Sequence, residues 1–187
     1  PLLGDAAGNY LRGDVVGILC ARYLGADAVA TPVSSNTVLE KCGAFAQVAR
    51  TRIGSPYVIE AMESLLARGA RRVVGFEANG GFLVGSPIER EGRTLQALPT
   101  RDAVLPIVAL LALARQRNAP VAQLPASLPP RFTASDRIQN FATETSRLLI
   151  QRLAADAAAL HEFLIPLAVA PASLDQTDGL RITLDNG

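Results

Sequence analysis

Apolar and polar positions along the chain switch repeatedly between two periods, and the switching predicts a succession of strands and helices. Over residues 15–24 the apolar side chains recur at helical spacing behind Arg12-Gly13-Asp14, and Gly25 stands where a helix C-cap is expected. The short apolar run 28–33 predicts a strand, and Ser34-Ser35-Asn36-Thr37 after it offers N-cap residues to a helix over 38–42. The unit then repeats, with a strand over 46–51, an N-cap at Ser55 followed by Pro56, and a helix over 57–68 closed by Gly69. Arg71-Arg72 leads into Val73-Val74-Gly75-Phe76, whose β-branched and aromatic residues favour an extended chain. Strands alternating with helices in this way predict right-handed βαβ crossovers: an α/β fold with a mostly parallel sheet and helices on both faces.

Past Phe76 the pattern is less regular. Residues 82–86 and 94–98 flank a polar stretch, 88–93, that contains Gly92 and predicts a hairpin-like excursion. Thr100-Arg101-Asp102 is expected to start a long apolar helix running to about residue 117, with Pro106 near its first turn. Pro120, Pro125, Pro129 and Pro130 mark 118–133 as a linker without a regular element of that length. Beyond it, 144–163 is helical by spacing and 179–184 alternates as a strand, the opening of a partial α+β piece. Both ends read as cuts: Pro1 follows neither an initiator Met nor a signal segment, and Asp185-Asn186-Gly187 is a hairpin turn awaiting its second strand.

Composition narrows the classes of function. The 187 residues are 49% hydrophobic and 5% aromatic with no Trp, a balance that suits an α/β protein rather than a disordered one. Lys plus Arg number 18 against 17 for Asp plus Glu, so no net field draws in a nucleic acid or an anionic membrane. The longest apolar stretch, 103–114, is far shorter than the ~20 residues of a bilayer span. Cys20 and Cys42 lack Cys-x-x-Cys spacing and a nearby His, which predicts buried free thiols and a reducing cytoplasm.

The strongest candidate for chemistry is Phe76-Glu77-Ala78-Asn79-Gly80-Gly81-Phe82. At the carboxyl end of a parallel strand, a carboxylate and an amide two residues apart face the crevice where α/β sheets bind ligands. Glu77 can accept from sugar hydroxyls, Asn79 can donate and accept, and Gly80-Gly81 allow close backbone approach or positive φ. A glycine-rich turn with Asn79 satisfying its own backbone accounts for the same residues. A second candidate is Arg50-Thr51-Arg52-Ile53-Gly54-Ser55-Pro56, where guanidinium groups meet a helix start that could bind phosphate; an arginine there is also an ordinary solvated residue. Capping alone explains residues 33–37. His161, the one histidine, has no Ser or Cys nucleophile at motif spacing, and no zincin, Walker, Rossmann or hydrolase motif occurs.

The run Phe76-Glu77-Ala78-Asn79-Gly80-Gly81-Phe82-Leu83-Val84-Gly85 resembles the sugar-binding loop of bacterial phosphohexomutases of the phosphomannomutase/phosphoglucomutase type. Residues 33–40, 50–59 and 130–137 fall in the family's order, so the likeness covers nearly the whole chain. It implies a four-domain parent in which residues 1–25 close the second domain, 26–120 form the third and sugar-binding domain, 121–135 are the Pro-rich linker, and 136–187 open the fourth. It further implies that the phosphoserine loop and the magnesium loop precede Pro1, which would follow the latter directly, and that the phosphate-gripping loop follows Gly187.

Such enzymes are isomerases that interconvert hexose 6-phosphate and hexose 1-phosphate, here of mannose and/or glucose, by phosphoryl transfer through a phosphoserine with magnesium neutralising charge. The resemblance gives Glu77 and Asn79 the task of holding the sugar's 3- and 4-hydroxyls, with Gly80 shaping the loop and Arg52, where relatives often carry Lys, contacting substrate or phosphate. Asn79 replaces the family's common serine, and Gly81 replaces a histidine of many members. No catalytic residue or magnesium ligand is expected in this chain, which alone should be inactive. The rival expectation is a noncatalytic sugar-phosphate-binding or assembly domain on the same architecture.

Overall fold

The computed structural model describes residues 3–185, so the expectations attached to Pro1 and to Asn186-Gly187 lie outside the described residues. In chain order the elements are β1 (Leu3–Gly4), β2 (Tyr10–Leu11), α1 (Gly13–Leu24), β3 (Ala28–Pro32), α2 (Val38–Lys41), β4 (Gln47–Thr51), α3 (Ser55–Ala67), β5 (Val73–Phe76), β6 (Phe82–Val84), β7 (Ile88–Arg90), β8 (Arg93–Leu95), β9 (Leu98–Asp102) and α4 (Val104–Arg117), then α5 (Thr143–Ala155), α6 (Ala157–Leu164), β10 (Pro171–Asp175) and β11 (Arg181–Leu184). The residues up to Thr133 form one compact unit and those from Ala134 onward another.

In the first unit five strands lie in the order β4-β3-β5-β6-β9. β3 pairs in parallel with both β4 and β5, whereas β6 runs antiparallel to β5 and to β9. Four of the five strands therefore share a direction. Helices cover both faces, as the periodicity predicts. On one face α1 and α4 bury Val16, Leu19, Cys20, Leu110 and Leu113 with Val29, Val74 and Phe76 of the sheet; on the other, α3 seats Val58, Met62 and Leu65 on Ala28, Ala30, Val73 and Leu83. β3 and β5 are buried along their whole length, which is why they read as unbroken apolar runs rather than alternating ones. α1 ends as expected at Gly25, whose φ of +68° places it in the left-handed region a Schellman-type cap requires.

Four local expectations are corrected. Residues 100–102 belong to strand β9, because they extend the antiparallel pairing with β6; the helix starts at Val104, and the Asp102 carboxylate accepts from the Val104 and Leu105 amides. Ser55 is the first helical residue of α3 rather than its cap, a position that Gly54 takes at φ +132°. Within the Pro-rich stretch, Val121–Ser127 forms a 3-10 helix, whose i to i+3 bonding accommodates Pro125, and Leu124 and Leu128 are buried in the core. The tail helix is two helices, because the Asp156 side chain accepts from the Ala158 and Ala159 amides and starts α6 afresh.

The excursion after β6 is the hairpin β7-β8, turned through Glu91 (φ +51°) and Gly92 (φ +73°). It is docked by Arg90, whose guanidinium stacks 3.9 Å from the Tyr23 ring of α1. In the second unit, Leu153, Leu160 and Leu164 of α5 and α6 form a small core with Ile182 and Leu184 of a β10-β11 hairpin. Among the described residues no helix is long and apolar enough to cross a membrane.

Candidate functional site

Parallel pairing aligns the carboxyl ends of β4, β3 and β5, with Thr31 opposite Arg50 and Ala30 opposite Gly75. The loops that leave these three strands, 52–54, 33–37 and 77–81, therefore emerge at one end of the sheet, where open α/β sheets take their ligands.

The 77–81 turn is held at both ends. Phe76 and Phe82, fully buried, stack with ring centroids 6.5 Å apart across the β5-β6 pair. The Glu77 amide donates to the Gly81 carbonyl at 2.9 Å and the Gly80 amide to the Glu77 carbonyl at 2.9 Å. Gly80 has φ +89°, and Gly13 at the start of α1 packs against it so closely that a Cβ on Gly13 would lie 2.2 Å from the Gly80 nitrogen. The Phe76 carbonyl, just ahead of Glu77, accepts a 2.8 Å bond from the buried Thr31 hydroxyl, which also lies 2.7 Å from the Ser35 hydroxyl. Thr31 thus ties the 33–37 loop to the base of the Glu77 turn.

Within this rigid turn Glu77 is only 5% exposed, and its Oε2 has no hydrogen-bond partner among the described residues. An unmatched buried acceptor costs on the order of 1–3 kcal/mol, more when charged, and is rare enough to demand a cause. Asn79 is exposed, and its Oδ1 accepts from the Gly81 amide at 2.9 Å, so that oxygen closes the turn.

The two arginines of the second candidate separate. Arg50 is consumed internally: Nε and Nη2 grip the Glu40 carboxylate at 2.7 and 2.9 Å, and the same guanidinium donates to the carbonyls of Pro32, Ser35 and Asn36. It shapes the 33–37 loop. Arg52 is exposed at the end of β4, with its guanidinium 5.8 Å from the Tyr57 ring. It lines a cleft of about 440 Å³ with Thr51, Tyr57, Glu60 and Arg68, and the Glu77 turn is not part of that wall. Glu77, Asn79 and Gly80 thus share one turn, while Arg52 sits two strands away.

Simple capping, the expectation for the 33–37 loop, understates how that loop is built. Asp14, fully buried, accepts from the Asn36 amide at 2.9 Å, and Asn36 donates through Nδ2 to the Arg131 carbonyl and the Thr133 hydroxyl. The signal in the sequence is Asp14 at the head of an apolar helix: a buried carboxylate is rare without donors. Cys20 is buried and its thiol is pushed above the ordinary range, first by desolvation and then by the Asp102 charge; Cys42 is only half-buried, against expectation, with Sγ 3.2 Å from the Leu39 carbonyl. No three His, Cys, Asp or Glu side chains gather as a metal site among the described residues.

This is an α/β/α domain with a polar turn at the carboxyl ends of its parallel strands, the position at which open α/β sheets carry ligand sites. Residues 12–132 match the family model "Phosphoglucomutase/phosphomannomutase, alpha/beta/alpha domain III", and the chain belongs to that family. It is 43% identical over 187 residues to a phosphomannomutase of Sinorhizobium fredii and 44% identical over 189 residues to a phosphomannomutase of Salmonella muenchen, with all of this chain covered each time. The chain spans 39% and 38% of the length of these curated relatives.

The fold agrees. A crystal structure from Thermus thermophilus superposes with a TM-score of 0.61 at 16% identity, over 98% of this chain and 35% of that one. Aspergillus fumigatus N-acetylphosphoglucosamine mutase, in complex with GlcNAc-6P and magnesium, gives 0.50 at 15% identity over 81% of this chain and 41% of its own.

Proposed function

We propose that the full-length protein is a bacterial, cytoplasmic phosphohexomutase that interconverts hexose 6-phosphate and hexose 1-phosphate of mannose and/or glucose, and that this chain supplies its sugar-reading surface. The observation that carries the reading is the buried Glu77 Oε2, unpartnered in a turn whose backbone is closed by its own hydrogen bonds. A sugar hydroxyl is the missing donor. An accepting carboxylate at a rigid loop positions the substrate without touching the bond that breaks, and it accepts from a hydroxyl of either epimer at C2. The exposed Asn79 presents the rest of its amide to the same ligand, Gly80 keeps the turn tight, and Arg52, two strands away at the same end of the sheet, reaches toward a phosphate.

Family membership, together with relatives named phosphomannomutases that match the whole of this chain, favours the enzyme over a noncatalytic binding domain. Residues 12–132 act as the third domain, with α1 counted in it because α1 packs in the core of the sheet, and the unit from Ala134 opens the fourth. On this reading magnesium, which would neutralise phosphoryl charge, and the phosphoryl-carrying serine belong to other parts of the full-length protein. This chain alone has no mutase turnover.

The test is steady-state kinetics of the full-length protein with Glu77→Gln and Asn79→Ala, using mannose 1-phosphate and glucose 1-phosphate. Loss of a charge-assisted bond of ~1.5–3 kcal/mol per hydroxyl lowers kcat/KM about a hundredfold for Glu77→Gln, with a smaller loss for Asn79→Ala. Unchanged catalytic efficiency of Glu77→Gln overturns the assignment.

A further inference from the structure

Gly81 and Arg101 share one space beside Glu77. Pairing of β6 with β9 sets Phe82 opposite Asp102 and brings Arg101 alongside the turn. A Cβ built on Gly81 would lie 2.9 Å from Arg101 Cδ, 3.1 Å from Arg101 Cγ and 3.2 Å from Glu77 Oε2. The first two distances mean that a side chain at Gly81 would require the arginine stem to shift, so the stem as it stands occupies the space beside this glycine. Gly81 is not at positive φ, so the feature that sets it apart is its closeness to Arg101 and Glu77 rather than its backbone.

The result is a cationic side chain and an unpartnered buried carboxylate on the same side of one glycine, not bonded to each other. The Arg101 residue is exposed, and among the described residues no hydrogen bond or ion pair engages its guanidinium. A sugar phosphate presents both complements: hydroxyl protons for Glu77 and anionic or hydroxyl oxygens for a guanidinium, whose planar fork suits phosphate. We propose that Arg101 is a second substrate-reading residue of this site. It donates to an oxygen of the same sugar phosphate whose hydroxyl Glu77 binds, and Gly81 is the residue that makes room for it. This inference rests on the sugar-phosphate reading of the Glu77 turn.

The experiment uses the full-length protein with mannose 1-phosphate and glucose 1-phosphate, and the variants Arg101→Ala, Arg101→Lys, Gly81→Ala and the double variant, with Glu77→Gln as reference. Arg101→Ala is expected to raise KM about tenfold or more with a smaller change in kcat, and Arg101→Lys to recover part of the loss. Gly81→Ala displaces the stem and loses activity, and it adds a smaller further loss when Arg101 is already Ala, because part of its effect strikes the same interaction while its Cβ also crowds Glu77 Oε2. Thermal unfolding midpoints of the Arg101 variants match the parent, since the guanidinium has no internal partner.

An Arg101→Ala protein within about twofold of the parent in kcat/KM overturns the proposal, as do losses from Gly81→Ala and Arg101→Ala that multiply independently. The two readings fail separately. Full activity of Glu77→Gln sinks the sugar-reading turn itself; a crippled Glu77→Gln beside a neutral Arg101→Ala sinks only the role of Arg101.

Discussion

Replacing Gly13 with Ala tests the way helix α1 is seated against the Glu77 turn. Taken by itself, Gly→Ala in a helix is favourable by roughly 0.5–1 kcal/mol, so a purely local view predicts a more stable protein. Here the new Cβ would stand 2.2 Å from the Gly80 nitrogen, 2.5 Å from the Ala78 carbonyl oxygen and 2.6 Å from Gly80 Cα. All three obstacles are backbone, so no side-chain rotation relieves them. α1 is fixed by the buried Val16, Ile18 and Leu19, so the turn has to give way. Overpacking of this kind costs ~1–3 kcal/mol, and loosening a loop hydrogen bond adds about 1 kcal/mol. Against the local gain, the net expectation is destabilisation by about 2–3 kcal/mol. Urea unfolding of this chain followed by circular dichroism measures it, with Gly4→Ala as control because its nearest neighbour would be an ordinary 3.8 Å away. A Gly13→Ala protein within ~0.5 kcal/mol of that control, or more stable, refutes the packing argument.

Arg50→Met keeps the stem but deletes five donated bonds, to Glu40 and to three loop carbonyls; it should lower stability by about 2–4 kcal/mol in the same urea assay, whereas Glu40→Gln, whose carboxylate is 43% exposed, should cost under ~1 kcal/mol. In native protein near neutral pH a thiol reagent should label the half-buried Cys42 and spare Cys20, read by intact-mass spectrometry; labelling of both at equal rates contradicts the burial. The Cys20 thiol is raised by folding above its ordinary 9.0, so the folded chain holds that proton more tightly than the unfolded one. Its contribution is complete below pH 9.0 and is lost as pH rises beyond it, so Cys20→Ser should flatten the alkaline fall in stability, and an unchanged slope in urea titrations across that range contradicts the burial of the thiol.

Much of the α/β layout was readable because it is written in local terms. The helical period of α1 ending at Gly25, the apolar runs of β3 and β5, and the Pro56 start of α3 each rest on neighbours a few residues apart. The Glu77 turn was legible for the same reason, as a polar, glycine-rich break at a strand end. What stayed hidden depends on contacts far apart in the chain. Arg50 looks like a phosphate ligand until the β3-β4 register lays it beside the loop that follows β3. Arg101 looks like a helix start until β9 pairs with β6 and carries it to Gly81. The helix break at Asp156 is masked because alanines on either side continue the apolar period. Strand β10, Pro171–Asp175, is defined only by its pairing with β11.

Whether the unpartnered Glu77 oxygen is kept for a sugar hydroxyl is measured most directly by a crystal structure of the full-length protein with mannose 1-phosphate bound. The expected result is a ligand hydroxyl about 2.5–3.0 Å from Glu77 Oε2. A bound sugar phosphate whose hydroxyls lie elsewhere, with Oε2 left unpaired or satisfied by protein, would contradict it.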